Sequence, residues 1–444
     1  MNQRPLPKAT VGEPAAVIAE VFLPAAAKGP LLRRPRAVAM AERFGLDERA
    51  VRRLQKLHSR HPAGPVLLRL PFRHQALALA PDHLRYILGH SPAPFPTASS
   101  EKRAALAHFE PRNVLISHGP DRAARRRLQE QVLDAGHPVH QLAGHFMPIV
   151  RGEAEVLLRR AEPGGLDWAA FVESWDRILR RVVFGDHARD DRELTDMLTR
   201  LRADANWAFL NPRRTKLRNR FPTAIEERLA AAEEGSLARF MAGMDTSGKA
   251  APVDQVPQWL FALGNAAMPA SRTLAVLAAR GEQAGPARQE ARRDETGGRH
   301  LPYLRSCVLE VLRLWPTTPM ILRQTTRSVQ WEDGVMPARC GVLIFVPYFG
   351  RDDRHLDHAH DFRPGRGLEE EKPGGWPRIP FSDGPAACPG KQLTLLLTSA
   401  MLAHLLRDRQ FTVAPHHDLA PGKPLPGTLD HFSLRLAVEP LPTE

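Results

Sequence analysis

Three cysteines are the candidates for thiol chemistry in this chain of 444 residues, at positions 307, 340 and 388. They are odd in number and far apart, so their spacing suggests no disulfide framework. Only Cys388 lies in a stretch built to present a side chain: Pro380-Phe381-Ser382-Asp383-Gly384-Pro385-Ala386-Ala387-Cys388-Pro389-Gly390. This reads as a glycine- and proline-rich loop that opens a helix over Gln392–Leu406. Cys388 then sits just before a helix N-terminus, where unpaired backbone N–H groups and the macrodipole favour negative charge. A thiolate is stabilised in such a place. Gly384 permits a turn closed to other residues, and Gly390 permits close approach of backbone to a flat ligand. The bland alternative is a buried structural cysteine, the commoner fate of a free thiol.

The spacing Phe381-x-x-Gly384-x-x-x-Cys388-x-Gly390 is specific, and it resembles the heme-thiolate loop of the cytochrome P-450 family. The resemblance implies heme b with Cys388 as the ligand of the heme iron, its donor strength set by the loop N–H groups. Phe381 would cover the sulfur side. Upstream, Arg122 and Arg126 are four apart in His118-Gly119-Pro120-Asp121-Arg122-Ala123-Ala124-Arg125-Arg126-Arg127, so they share one helical face. That is either a solvated basic face or a pair of cations for two anionic groups. The segment is similar to the family's C-helix, which implies heme propionates as those groups. Arg323 matches the family's other propionate-binding arginine.

Glu310 and Arg313 form a Glu-x-x-Arg pair, a weak signal alone, since Glu290 and Arg293 show the same spacing by chance. Its place before Pro316-Thr317-Thr318-Pro319 and well upstream of Cys388 resembles the family order. Phe362-Arg363-Pro364-Gly365-Arg366 matches the segment that supplies a third cation, implying a buried ionic cluster of Glu310, Arg313 and Arg366.

Asp254–Arg280 reads as a long apolar helix, with Asp254 as cap and Pro257 in the first turn. Pro269 falls mid-helix, where it should remove the bond to the carbonyl of Asn265 and kink the helix. Gly264, Ala267 and Ser271 form a small-residue stripe, fit for a flat ligand or for another helix. The resemblance implies that this helix crosses the heme and carries an acid-alcohol pair for proton delivery. Aligned on Gly264, those positions are Ala266 and Ala267, and neither carries a proton. A water held by the freed carbonyl, the Asn265 amide or the Ser271 hydroxyl is the expected substitute. Ala386 stands where the family often places a His or Arg, which leaves Arg122, Arg126 and Arg323 to meet the propionates.

The elements that must position these residues read as follows. Residues 1–40, rich in Pro and Arg, suggest an irregular arm before a single domain over 41–444. Ala41–His58 has helical spacing with Asp47 as a possible cap. Val66–Leu70 and Gln75–Leu79 suggest strands, Pro81–Leu88 a short helix, and Ser91–Arg112 a long loop of the sort that carries binding function. Gln141–Ala161, Asp167–Gly185, Leu194–Phe209, Pro222–Gly243 and His300–Trp315 read as helices. Met320–Thr326, Ser328–Trp331 and Val342–Val346 read as strands, with Asp333-Gly334 as the turn between the last two. Phe411–Val413 and Ser433–Ala437 read as terminal strands. His355, His358 and His360 sit in a long loop that resembles the family's ordinary meander, not a metal site. The expected fold is α+β: one large, mostly helical domain with small β-sheets.

Lys and Arg total 62 against 49 Asp and Glu, for a net charge of +13, and only nine of the 62 are Lys. Codon bias towards Arg explains this, as does a basic face for an acidic partner. No zinc-finger spacing, aromatic-basic motif or basic tail points to nucleic acid. No signal peptide or membrane anchor is apparent, so a cytoplasmic protein without membrane contact is expected. The resemblance implies a monooxygenase fed by a ferredoxin and reductase, acting on a small apolar organic substrate. A small acidic iron–sulfur protein docking around Arg122–Arg127 is the expected donor. Two rivals remain: a peroxide-dependent or rearranging heme-thiolate enzyme, and a non-catalytic heme protein that binds a ligand or gas.

Overall fold

The computed structural model describes residues 6–441 apart from 71–72, 163, 245, 247, 366–374 and 416. The chain starts with helical turns: α1 (Glu13–Val17), a π-turn at Ile18–Phe22, α2 (Leu23–Ala27) and α3 (Pro35–Arg43). The predicted irregular arm is therefore mostly helical. Pro14, Pro24 and Pro35 all fall at the first positions of their helices, where a missing N–H is harmless. Leu6, Val17 and Val21 are buried against the sheet. Next comes α4 (Leu46–Arg60), which starts at Gly45 rather than at a side-chain cap. Asp47 does not cap it; its carboxylate is buried and paired with Lys28 at 2.5 Å.

Strands β1 (Val66–Leu70) and β2 (Arg73–Leu77) form an antiparallel hairpin. After α5 (Pro81–Gly89), the expected loop contains a short helix, α6 (Ser100–Leu106), capped by the Ser99 hydroxyl. Helices α7 (Gly119–Val132) and α8 (Ala143–Ala161), the short strand β3 (Leu166–Asp167), and helices α9 (Trp168–Phe184), α10 (Arg192–Ala205), α11 (Thr215–Ala230) and α12 (Leu237–Ala242) follow.

The long central helix is two helices, α13 (Val256–Gly264) and α14 (Ala267–Ala279). The break falls at Asn265-Ala266 and not at Pro269. Restarting the helix at Ala267 puts Pro269 in a first turn, where its N–H would have no partner anyway. The Asn265 carbonyl is not freed; it accepts from the Met268 N–H at 3.2 Å in a tightened turn. Asp254 does not cap α13 but pairs with Arg112 at 2.5 Å. Residues 248–279 are apolar and long enough to cross a membrane by composition, yet 78% of the most apolar 18-residue window is buried inside the fold.

Helices α15 (Gly281–Arg293) and α16 (Pro302–Leu314) precede β4 (Met320–Gln324), β5 (Val329–Trp331), β6 (Gly334–Met336) and β7 (Gly341–Phe345). The Asp333-Gly334 turn joins β5 to β6, a strand not anticipated, and β7 instead runs parallel to β2 and antiparallel to β4. The main sheet thus has the order β1-β2-β7-β4. Then come α17 (Val346–Arg351) and α18 (Lys391–Leu406), and finally β8 (Arg409–Val413) and β9 (Arg435–Pro440), which close a second sheet in the order β3-β9-β8. Helix α18 is apolar on nearly every face and accordingly sits in the core, against α8, α14, α15 and α16.

Candidate heme-thiolate site

The Cys388 loop is closed by its own backbone. The Cys388 N–H donates to the Phe381 carbonyl at 2.9 Å, and the Ala387 N–H to the Gly384 carbonyl at 2.9 Å. Asp383 Oδ1 accepts from the Gly384 N–H at 2.7 Å. Gly384 has φ +66°, and a Cβ there would lie 2.4 Å from the Leu88 carbonyl oxygen, so no other residue fits. Gly390 carries no such constraint: a Cβ would sit in ordinary contact with Leu133 and with the Cys388 sulfur. Phe381 packs half-buried against the main core.

Burial raises the Cys388 thiol above its usual range, while the Gly390 and Lys391 N–H groups and the Arg126 and Lys391 charges pull it down. The helix N-terminus alone therefore does not hold a thiolate here, contrary to the simple expectation. Donors and cations aimed at a half-buried sulfur are what an anionic metal ligand needs, with the metal supplying the remaining stabilisation. Cys307 and Cys340 are fully buried, and burial raises both thiols, outweighing the Ala76 N–H and the Arg73 charge that act on Cys340.

On the other side lies a group of cations without anions. Arg323 is buried; its Nε donates to Ser91 Oγ at 2.9 Å and its Nη2 reaches Ser382 Oγ at 3.4 Å. Burial, then the charge of Arg122, lowers Arg323 to about 10. Arg122 is half-buried, and its Nε has no hydrogen-bond partner among the described residues. Among the described residues the Lys102 amine of α6 reaches only the Leu322 carbonyl, at 3.4 Å; burial and then Arg323 push it down to about 7. None of the three makes an ion pair among the described residues. Cations held buried or half-buried without a counter-charge are costly, and two carboxylates placed among them would remove the cost. The residues present thus fit the propionates of a heme. Lys102 escaped the sequence reading: it lies in the segment marked as a binding loop, but only the fold sets it beside Arg323.

Arg126, expected at the propionates, is differently employed. Its Nη1 donates to the Ala387 carbonyl at 2.7 Å and its Nε to Glu130 at 2.6 Å, so it braces the cysteine loop. Arg125 is turned inward to Ser117 Oγ. Of the arginines of the expected basic face only Arg127 is exposed, on an open cleft of about 560 Å³ that Gln131, Asp134, Gln141, Phe240 and Met244 also line.

Behind the loop, Glu310 and Arg313 are 5% and 3% exposed and pair through two bonds of 2.7 and 2.8 Å. Arg313 also donates to the carbonyls of Gly350, Ala359, His358 and Asp361. The described third donor to Glu310 is the backbone N–H of Arg363 at 3.0 Å. Arg366, expected there, lies outside the described residues. His355 and His358 pair with Asp352 and Asp357.

At the central break, Ala266 and Ala267 are buried and carry no titratable group. Gly264 faces α9: a Cβ would stand 3.5 Å from Leu179, so this member of the small-residue stripe serves helix packing. Trp175 of α9 donates to the Leu263 carbonyl at 2.9 Å. The Asn265 amide oxygen accepts from Arg202 Nη2 at 2.9 Å, and the Ser271 hydroxyl is returned to the Met268 carbonyl at 3.1 Å. The groups proposed to hold a water are therefore already engaged.

Residues 288–434 match the cytochrome P-450 family model. Among curated relatives, beta-amyrin 24-hydroxylase of Glycine max is 35% identical over 117 residues, 24% of this chain and 23% of that protein. Cytochrome P-450 98A8 of Arabidopsis thaliana is 36% identical over 110 residues, 24% of this chain and 22% of that one. The chain thus matches under a quarter of each relative's length. Solved structures extend the likeness to the whole fold. Retinoic acid bound cyanobacterial CYP120A1 superimposes with TM-score 0.68 at 16% identity, covering 87% of this chain and 94% of that one. A zebrafish cytochrome P-450 with abiraterone gives 0.69 at 16%, covering 88% and 99%.

Proposed function

We propose that the chain, whose residues 288–434 match the cytochrome P-450 family model and whose fold superimposes on cytochrome P-450 structures, is a heme-thiolate monooxygenase of that family with heme b as its cofactor, inserting one oxygen atom of O2 into an organic substrate. The observation that carries this reading is the pairing of a backbone-closed cysteine loop with three cations that lack an anion among the described residues, Lys102, Arg122 and Arg323. Cys388 would ligate the iron, and the three cations would take the propionates. Bound heme supplies the iron centre that accepts two electrons and dioxygen. The chain supplies ligation, placement and proton handling. Arg126 holds the loop through Ala387, and Glu310 with Arg313 fixes the segment behind it.

A redox partner and an organic substrate go with this reading. We take the partner to be a small acidic iron–sulfur protein of the ferredoxin type, docking on the cleft at Arg127 beside the cysteine loop, where Leu133 stands next to Gly390. Its association should weaken steeply with salt. The apolar core around the central break favours an apolar substrate, and a cytoplasmic setting fits such a donor. Ala266 and Ala267 favour one second reading: peroxide-driven turnover, which needs no protons delivered by an acid-alcohol pair.

The reduced, CO-bound protein should show the red-shifted Soret band of a thiolate ligand, and Cys388→Ser should lose it. A band that survived the substitution would sink the assignment. Turnover with ferredoxin and reductase, set against turnover with hydrogen peroxide, separates the two readings.

A further inference from the structure

A second polar group lies buried beside the central break, and heme binding makes no call on it. Glu110 is fully buried between α6 and α7. Its Oε2 accepts from Asn113 Nδ2 at 2.7 Å, and the same amide nitrogen donates to Gln258 Oε1 of α13 at 3.1 Å. Its Oε1 is equally buried and has no hydrogen-bond partner among the described residues. Arg202 of α10 acts on Glu110 through its charge and donates to Asn265 Oδ1 at the break, at 2.9 Å. Burial outweighs that charge and holds the carboxyl well above its usual range, which favours the protonated form. Since Oε2 accepts a hydrogen bond, the proton resides on Oε1. Most buried carboxyl oxygens find a partner, and Glu110 Oε1 has neither a hydrogen bond nor an ion pair among the described residues, so it calls for an explanation.

We propose that Glu110 holds the proton for dioxygen chemistry at the central break, in place of the acid and alcohol that Ala266 and Ala267 cannot supply. The inference rests on the monooxygenase reading. In that reaction substrate R–H, O2, two electrons and two protons give R–OH and water. The electrons come from a reduced nicotinamide through the redox partner, and both protons end in the product water. Glu110 releases the Oε1 proton; the carboxylate left behind is stabilised by Asn113 and the Arg202 charge until solvent reprotonates it. Arg202, touching both Asn265 and the field of Glu110, is a positioning residue.

The test uses the full-length, heme-loaded protein. Infrared difference spectra of wild type against Glu110→Gln, in H2O and D2O at neutral pH, should contain a protonated-carboxyl band that moves on deuteration and is missing from the variant. Oxygen consumption driven by a plant-type ferredoxin and its reductase should fall in the variant by about 10²-fold, the scale of general-acid catalysis, with the CO-bound Soret band unchanged. A wild type without that infrared band, or a variant that consumes oxygen at the wild-type rate, overturns the inference. If Glu110→Gln does not load heme, Glu110→Asp decides: the band should shift, and an unmoved band refutes the assignment. A wild type whose reduced CO complex lacks the thiolate band refutes the monooxygenase reading instead, so the two failures are told apart.

Discussion

Lys102 shows what one side chain's surroundings can predict. Its amine is pushed from an ordinary value of about 10.4 down to about 7 by burial and by Arg323. The unfolded chain therefore binds an extra proton between about pH 7 and 10, and the heme-free fold should gain stability as pH rises through that window. Propionates beside Lys102 restore the charged form, so heme loading at pH 8 should take up protons. Calorimetry in buffers of different ionisation enthalpy measures this uptake, and Lys102→Met should abolish it while speeding heme loss. Glu310 and Arg313 give a second prediction. Arg313→Ala leaves a buried carboxylate and several carbonyls unpaired, which should cost about 3–5 kcal/mol of stability, read from denaturant midpoints of the holoprotein. Cys388, Arg323, Glu310 and Arg313 were legible in the sequence as candidates because each sits in a segment that resembles a family motif, and the structure pairs Glu310 with Arg313 and buries Arg323. Lys102 and Glu110 were not. Their meaning comes from Arg323, Gln258 and Arg202, residues that only the fold brings near.

Helices and turns were read well where local chemistry decides them, and misread where a neighbouring element does. Helix α18 and the cysteine loop followed from glycine, proline and apolar pattern. The central helix did not: Pro269 marks a break, but the chain relieves it four residues earlier, at Asn265, where Trp175 of α9 and Arg202 of α10 take up the Leu263 carbonyl and the Asn265 amide oxygen. Trp175→Phe removes one such tie and should cost about 1 kcal/mol, seen as a lower thermal midpoint. Gly384 carries a sharper prediction at this scale. A methyl group there meets the Leu88 carbonyl in a backbone conformation that favours glycine. Gly384→Ala should strain the loop by about 1–3 kcal/mol and accelerate heme loss to an acceptor protein, with little change in overall helix content.

Across the whole molecule, the mostly helical reading with small β-sheets stands, while the irregular arm does not, because its prolines fall at helix starts. Glu13 pins that arm: it accepts from the Thr10 N–H at 2.7 Å and pairs with Arg60 and His61 of the α4 end. Although burial raises it, these partners bring the Glu13 carboxyl down to about 2. Its contribution is therefore complete above the unfolded value of about 4.3 and is lost as pH falls from there to about 2. Hydrogen exchange at Val17 and Val21 should accelerate through that window, and Glu13→Gln should flatten the dependence. The main sheet has a consequence in time as well as in space. Strand β2 finds its parallel partner only in Gly341–Phe345, and β3 only in β9, near the far end of the chain. While the protein emerges from a ribosome, the β1–β2 hairpin must wait with an open, apolar edge until most of the sequence has been made, and such an edge is a template for aggregation. Nascent chains stalled before β4 should expose that hairpin to protease, and chains released past α18 should protect it. A slow stretch of translation between those two points would be the interval in which this protein most needs a chaperone.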